Sequence, residues 1–554
     1  MVKSLNDFYM RFSISLFVFV LTCMAAFAQN TQPQMILKAE DIDRAIIRLA
    51  GTGTATVDWG DGNRDTYNCL SLDGVECRHN YETADNYIIT ITGENIEYLS
   101  CTKMQLTDLN VSTNAALTFL NCLNNRLTSL GVGNNLALET LACAGNQLTD
   151  LDISRNNALS KLSCGHNQLT YLDVSVHPAL TELYCEYNQL RHLDVSTNMA
   201  LTKLYCRDNQ LTELDICRNP MLESLSCGYN RLTNLDVSRN SVLVELLCFG
   251  NPLRYLDVAH NSTLIKLNCA NNALTKLDIS RNTELSELVC SNNQLTELEI
   301  LANTLLTELK CGSNQLKQLD VSRNKALTVL WCTENQLTSL DVSKNTALKR
   351  LDCYKNDLTF LNLPVNAALT ELDCRYNQLT CLDISRSTVL KKLVCAHNQL
   401  TELNWGASTK LESLRCENNQ LTTMNIPANT TLINLDCTNN RLAQLNVSRC
   451  AVLARLKCEN NQLIRLDVGK KTTLTSIDCS KNQLARLDVR KNKALTFLDC
   501  SYNKLKQLDV RKNLALKHLR CQDNPIKRLD LRNNTKLEYL FLDHNKTTVL
   551  RKTH

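Results

Sequence analysis

Proline and glycine are scarce, at 7 and 15 residues in a chain of 554. Length alone would suggest several globular domains, but a chain of many irregular loops needs far more of both residue types. Catalytic signatures are also missing. No Gly-rich phosphate loop, Gly-x-Ser-x-Gly or His-Glu-x-x-His occurs, and no titratable pair stands at a unique position. The chain is therefore read as a non-enzyme that uses no cofactor and no metal. Beyond residue 28 no stretch is apolar enough to span a bilayer, which takes about 20 residues.

Cysteine is abundant instead, at 27 residues, and so visibly are leucine and asparagine. Such bias asks for a repeat search. Cysteine recurs every 21 residues from Cys101 to Cys521, and Leu542 takes its place one turn later. Three residues after each of these positions stands asparagine, from Asn125 to Asn545; only the first turn departs, with Met104. A typical unit is Leu201-Thr-Lys-Leu204-Tyr-Cys206-Arg-Asp-Asn209-Gln-Leu211-Thr-Glu-Leu214-Asp-Ile216. This is the leucine-rich-repeat signature with Cys in one Leu slot.

Leu204 and Cys206 alternate with Lys203, Tyr205 and Arg207, the period of a strand with one buried face. One such strand per turn predicts a mostly β solenoid of 22 turns, with a parallel concave sheet over a shared core. The unbroken step predicts that sheet without interruption from about Leu99 to Leu542. The second half, Leu-Asp-Val-Ser in many turns, is too short for a long helix and forms the back. Each asparagine sits where the chain leaves the strand and is expected to bond the backbone of its own turn and of the next. The cysteines are predicted to be reduced, buried and behaving as small hydrophobes. In-register neighbours about 4.8 Å apart sit wider than the roughly 3.8 Å between Cβ atoms that a bridge prefers. Cys69 and Cys77 lie outside the ladder, and a bridge between them stays open. Cys217, Cys381 and Cys450 look isolated. The Asp column of the back (Asp152, Asp173, Asp194, Asp215, Asp236, Asp257, Asp278) is read as accepting turn N–H or Ser bonds, and His166 and His397 as pointing outward.

The Cys-x-x-Asn step and the Leu-Asp-Val-Ser half together resemble the cysteine-containing repeats of the internalin family, over residues 96–545. The resemblance implies a bacterial surface protein whose repeats contact host molecules or neighbouring cells, with the associated roles in virulence or biofilm. The family's helical N-terminal cap is absent. Leu363-Pro-Val-Asn366 lies inside a repeat and is not a wall-anchoring motif, so the mode of attachment stays open.

Residues 1–28 read as a signal peptide: Lys3 and Arg11, then apolar Phe12 to Met24, then Ala26-Phe27-Ala28 before Gln29. A membrane anchor, or a lipoprotein on Cys23, are the alternatives. The chain is expected to be extracellular or at the cell surface, with the periplasm open. Residues 29–95 do not repeat. Ala45 to Ala50, Ala55 to Trp59 and Tyr87 to Thr92 look like strands. With Trp59-Gly60-Asp61-Gly62 and His79-Asn80-Tyr81 they resemble the polycystic-kidney-disease-type β-sandwich, placed here as a cap on the first repeat. Asp58, Asp61 and Asn63 lack the spacing of a calcium loop and are read as structural. Residues 546–554 are read as a tail.

The ligand-binding candidates are large outward residues beside the ladder: Tyr184, Tyr187, Tyr205, Tyr229, Phe249, Trp331, Tyr354 and Tyr376. They fall on turns Cys185 to Cys248 and Cys332 to Cys374. Exposed aromatics often anchor protein and glycan contacts, and they also simply tolerate strand surfaces. Charge is uneven: residues 441–554 hold 25 Lys and Arg against 10 Asp and Glu, in a chain of net +4. That end fits acidic glycans, anionic lipid or nucleic acid, or a solvated cap. The favoured reading is a monomeric adhesin-like binding protein for a host or bacterial protein or glycan, with nucleic acid unlikely as partner. The alternative is an envelope or biofilm spacer without a specific ligand.

Overall fold

The computed structural model describes residues 34–550, apart from 71–73, 364, 366–367, 407, 428–430, 470 and 544–546. The leader expected at 1–28 and the end of the expected tail at 551–554 lie outside the described residues. Two compact units divide the chain, Met1–Leu232 and Thr233–His554. Every regular element among the described residues is a strand.

The first unit begins with an antiparallel sheet. β1 (Gln34–Gly51) and β4 (Val75–Gly93) form a long pair interrupted by register shifts near Ile42, and β2 (Thr54–Asp58) and β3 (Arg64–Asn68) extend it from β4. The three strands expected from sequence are present, with β1 and β4 longer than foreseen. Trp59 is fully buried at the tip of this sheet. Its Nε1–H donates to Asp65 at 2.8 Å, and the His79 ring stacks on it at 5.1 Å. Gly60 is required where it stands. Its φ is +84°, and a Cβ there would meet the Ile88 carbonyl oxygen at 2.6 Å. Asp58 and Asp61 accept the Gly60 and Asn63 amides. Cys69 and Cys77 are buried free thiols.

The same β1 closes the repeat edge. It pairs antiparallel with β5 (Ile96–Ser100) and β6 (Leu106–Asn110), the two strands of the first turn. Main-chain groups that would otherwise form an open edge are thus satisfied. From β5 the sheet runs in parallel, one three-residue strand per turn and in register, to Ser224–Ser226. The second unit repeats this without interruption from Glu245–Leu247 to Tyr539–Phe541. Thr548–Leu550, expected in a tail, instead forms a further back rung paired with Arg528–Asp530.

The ladder cysteines are buried, and burial holds their thiols up, with Cys206 at about 12. They are therefore protonated and packed as apolar side chains. The Asn ladder does its bonding to its own turn and to the preceding one, not the next. Asn314 Nδ2 donates to Cys311 O and Cys290 O, both at 3.1 Å, while its Oδ1 accepts Leu295 N–H at 3.0 Å. The reason is that the side chain points back along the stack into the preceding bend. A second asparagine ladder, unseen in the sequence reading, runs beneath the back half. Asn303 is fully buried and donates to Ile279 O and Asn282 O. Cys450 is not isolated: it occupies a slot of this second ladder and is buried there. The back Asp side chains accept the amide two residues on, as Asp173 does from Ser175 at 2.9 Å.

A candidate binding face on the strand ladder

Each front strand turns its central Leu, or Ile477 in one turn, to the core and its two flanking residues to the outer side. The expected site residues divide into three kinds of position. Tyr184, Tyr205 and Trp331 are strand residues, directly before a ladder Cys. Phe249 and Tyr354 follow the Cys. Tyr187, Tyr229 and Tyr376 are not on the strand at all. They sit in the bend after it, with φ of 55°, 49° and 52°. Every described residue at this bend position is left-handed, because the chain must turn there to bring the asparagine inward. Its amide continues the ladder, as when Tyr187 N–H donates to Arg207 O at 2.9 Å.

In the first unit Tyr184 and Tyr205 meet edge to face at 5.1 Å on adjacent rungs. The Tyr184 hydroxyl donates to Glu182 at 3.1 Å, and Lys161 and Lys203 flank that carboxylate. Burial and then this Glu182 bond push the Tyr184 phenol up to about 12. Beside them His166 stacks on Tyr187 at 4.1 Å. Arg207 lies over both the Tyr187 and Tyr229 rings and donates to the Tyr187 hydroxyl at 2.8 Å. Tyr184, Tyr187, Tyr205 and Tyr229 are thus neighbours, held by mutual stacking and one guanidinium. Phe249 belongs to the second unit.

The second group is built around a cleft of about 130 Å³. Trp331, Asp352 and Asp373 occupy one column on three consecutive rungs and line it, with Arg350, Glu371 and Lys392 opposite. Lys310 Nζ sits over the Trp331 ring at 4.4 Å. Arg375 pairs with Asp373 at 3.1 Å and covers the Tyr354 ring at 5.0 Å. Tyr376 stacks on His397 at 4.2 Å. Trp331 and Tyr376 are exposed, at 39% and 50%. Burial first, and then the charge of Asp373, raise the Asp352 carboxyl to about 6. The arrangement sets flat apolar rings next to fixed charges of both signs, a combination found on recognition surfaces.

Another set of outward rings escaped the sequence reading. Tyr98 stacks on Phe119 at 4.3 Å in the first unit, and His518 on Tyr539 at 4.7 Å in the second. They stand before the central Leu of the strand, on the far side from the Cys. The signal was present in the sequence, as aromatic residues three before the ladder position on neighbouring turns.

No family model matches the chain, and no curated protein matches it by sequence. By structure it is similar to the functional domain of InlJ from Listeria monocytogenes, which includes a cysteine ladder. The two share 34% identity over 62% of this chain and 72% of that one, with a TM-score of 0.53. YopM from Yersinia enterocolitica WA-314 matches 81% of this chain and 91% of its own at 26% identity and a TM-score of 0.61. The ectodomain of the Arabidopsis thaliana receptor kinase GASSHO1/SCHENGEN3, solved in complex with CASPARIAN STRIP INTEGRITY FACTOR 2, shares the fold at 22% identity and a TM-score of 0.57, over 79% of this chain and 66% of its own. With its 21-residue turns, its parallel strand ladder and its buried file of thiols, the chain is a leucine-rich-repeat protein of the cysteine-ladder kind.

Proposed function

We propose that the chain is an exported, adhesin-like binding protein, held at or released from a bacterial surface, that engages a protein or glycan through the front of its strand ladder. The observation that carries this is the grouping of outward rings into contiguous patches. An even scatter would have suited a spacer. Here Trp331, Tyr354 and Tyr376 share one stretch of strands and bends with Arg375 and Lys310, and Tyr184, Tyr187, Tyr205 and Tyr229 share another. The similarity to an internalin supports the reading, as does the protein ligand bound by the plant ectodomain of the same fold. The leader at residues 1–28 supports export, and no helix among the described residues is long and apolar enough to cross a membrane. We read residues 29–95 as a polycystic-kidney-disease-type cap, supported by the buried Trp59 and by the pairing of β1 with the first turn.

The test is a pull-down with the full chain from host-cell and bacterial surface extracts, repeated with Trp331→Ala and Tyr205→Ala. A partner retained by the parent and lost by either variant supports the reading. Equal retention by all three, or no partner from either source, overturns it.

A further inference from the structure

The back of the last turns differs from the back of every earlier one. In many earlier turns an Asp takes the amide of the residue two on, most often a Ser, and its carboxylate stays exposed, as with Asp173 and Asp278. In three successive late turns Arg replaces that Ser. Arg490, Arg511 and Arg532 keep the amide bond and add a two-pronged guanidinium contact to Asp488, Asp509 and Asp530, at 2.8 to 3.0 Å. The one acidic column of this side is thereby neutralised from within. Hydrogen bonds from the Arg side chains, foremost, hold the Asp488 and Asp530 carboxyls down at about 2, so the neutralisation persists across the ordinary pH range.

The cations around that column have no such partner. Arg486 and Arg528 stand two residues before the Asp, and Lys491 and Lys512 directly after the Arg fork at the bend. All four are exposed, and no carboxylate lies within 4.0 Å of any of them among the described residues. Lys491 and Lys512 stand on adjacent rungs, about 4.8 Å apart and within one Debye length of roughly 8 Å in physiological salt, while Arg486 and Arg528 stand two rungs apart with Gln507 between them. Their fields therefore add into a continuous positive strip along the stacking direction.

Which polyanion fits follows from what the strip lacks. No aromatic side chain stands in these back positions between residues 484 and 536, so there is no platform on which bases could stack. The Arg forks are closed by their own Asp and cannot grip a phosphate bidentately. The charge step of one rung does not match the roughly 3.4 Å of helix axis per phosphate along one strand of duplex DNA. Only scattered apolar residues such as Leu514 are exposed here, which gives a bilayer little to hold. An extended chain of uronic acids, with one carboxylate per ring, suits single cations set one or two rungs apart along the stack.

We propose that the back of turns 484–536 is a second binding surface, for a linear acidic polysaccharide of the polyuronate type. It is separate from the aromatic front face and does not rest on that face having a ligand.

The test titrates the full chain with a galacturonate oligomer, with single-stranded and duplex DNA of equal charge and phosphatidylglycerol vesicles as the other arms. The parent should bind the oligomer, with an affinity that falls steeply as salt is raised. The triple variant Arg486→Glu, Lys491→Glu, Lys512→Glu should lose about tenfold or more, because three attractive contacts become repulsive. The control triple Lys276→Glu, Lys317→Glu, Lys344→Glu, equally exposed but on earlier turns, should stay within about twofold of the parent. Charge neutralisation by Arg486→Gln, Lys491→Gln, Lys512→Gln gives the same ranking if the reversal disturbs folding. The proposal is overturned by absent oligomer binding, by a control that weakens as much as the patch variant, or by DNA or vesicles binding as tightly as the oligomer.

Discussion

The two asparagine ladders look alike in composition but not in what they satisfy, and the difference can be measured. Consider Asn314→Ala and Asn303→Ala, both nearly or fully buried and both in the middle of the second unit. Asn314 Nδ2 donates to Cys290 O and Cys311 O, but each carbonyl keeps a second donor, from Asn293 and Asn335 respectively. The Leu295 amide has no such reserve, because its acceptor is Asn314 Oδ1 at 3.0 Å. Truncation therefore orphans one buried N–H, at roughly 1–3 kcal/mol, and removes two shared bonds worth about 0.5–1 kcal/mol each. Asn303 donates to Ile279 O and Asn282 O, which also accept the Asn282 and Leu285 amides. Its own Oδ1 is buried without a hydrogen-bond partner. Truncation there orphans nothing and deletes an unsatisfied acceptor. Both changes leave the same cavity, so that term cancels. Asn314→Ala should cost about 1–3 kcal/mol more than Asn303→Ala. A solenoid can open piecewise, so urea unfolding should be read together with amide hydrogen exchange. The Leu295 amide should lose protection in Asn314→Ala, and no single amide should stand out in Asn303→Ala. Equal costs, or a larger cost for Asn303→Ala, would refute this accounting of backbone groups.

Trp331→Ala and Tyr205→Ala should each weaken partner binding by about 2 kcal/mol or more while moving the melting temperature little, whereas Cys206→Tyr, facing the core, should lower it by overpacking. Thiol titration of the native chain should find Cys217 and Cys381, which are exposed, and few others; the denatured chain should release the ladder, and disulfides between ladder neighbours would contradict the packing. Asp352 has a folded pKa raised to about 6, so its contribution is complete at low pH and is lost as pH rises toward 6; Asp352→Asn should therefore stabilise the protein at pH 8 and change little at pH 4, measured by urea midpoints. Tyr187→Asn should gain up to about 1 kcal/mol, because Asn adopts the left-handed bend more readily, and should lose binding if Tyr187 contacts the partner.

How much of this was legible follows from where the information sits. The strand register was written in the 21-residue step, since Leu183, Leu204 and Leu225 can share a core only if the strands stack without slip. The absence of long helices followed from the shortness of the second half. The second asparagine ladder was obscured because His177, Ser387, Ser408, Cys450 and Lys471 interrupt it. Each still fills the slot, as Lys471 does by reaching the Ser448 carbonyl at 2.8 Å. The cleft at Trp331 was only half visible. Its aromatic member was evident, but Asp352 and Asp373 acquire meaning only when a step of 21 residues becomes one rung. The rings at Phe119 and Tyr539 were missed because they flank the Leu and not the Cys.

The bend after the strand carries a folding constraint and also several of the proposed contact residues. The backbone there demands positive φ in every described turn, a conformation that costs an L-residue roughly 1 kcal/mol and that Gly or Asn accepts most easily. Gly145, Gly250, Asn271, Asn292 and Asn460 obey that preference, and no β-branched residue stands among the left-handed bend positions. His166, Tyr187, Tyr229, Tyr376, His397 and Tyr502 do not obey it. In two places these rings come in stacked pairs, His166 on Tyr187 and Tyr376 on His397, and the stacking offsets part of the backbone cost. Both pairs adjoin the two aromatic groups on the strands. A solenoid under pressure for stability alone would fill this column with Asn and Gly, as its central turns at Asn271 and Asn292 do. Large rings at the left-handed position of the repeat, beside the other exposed rings, support the contact surface proposed above.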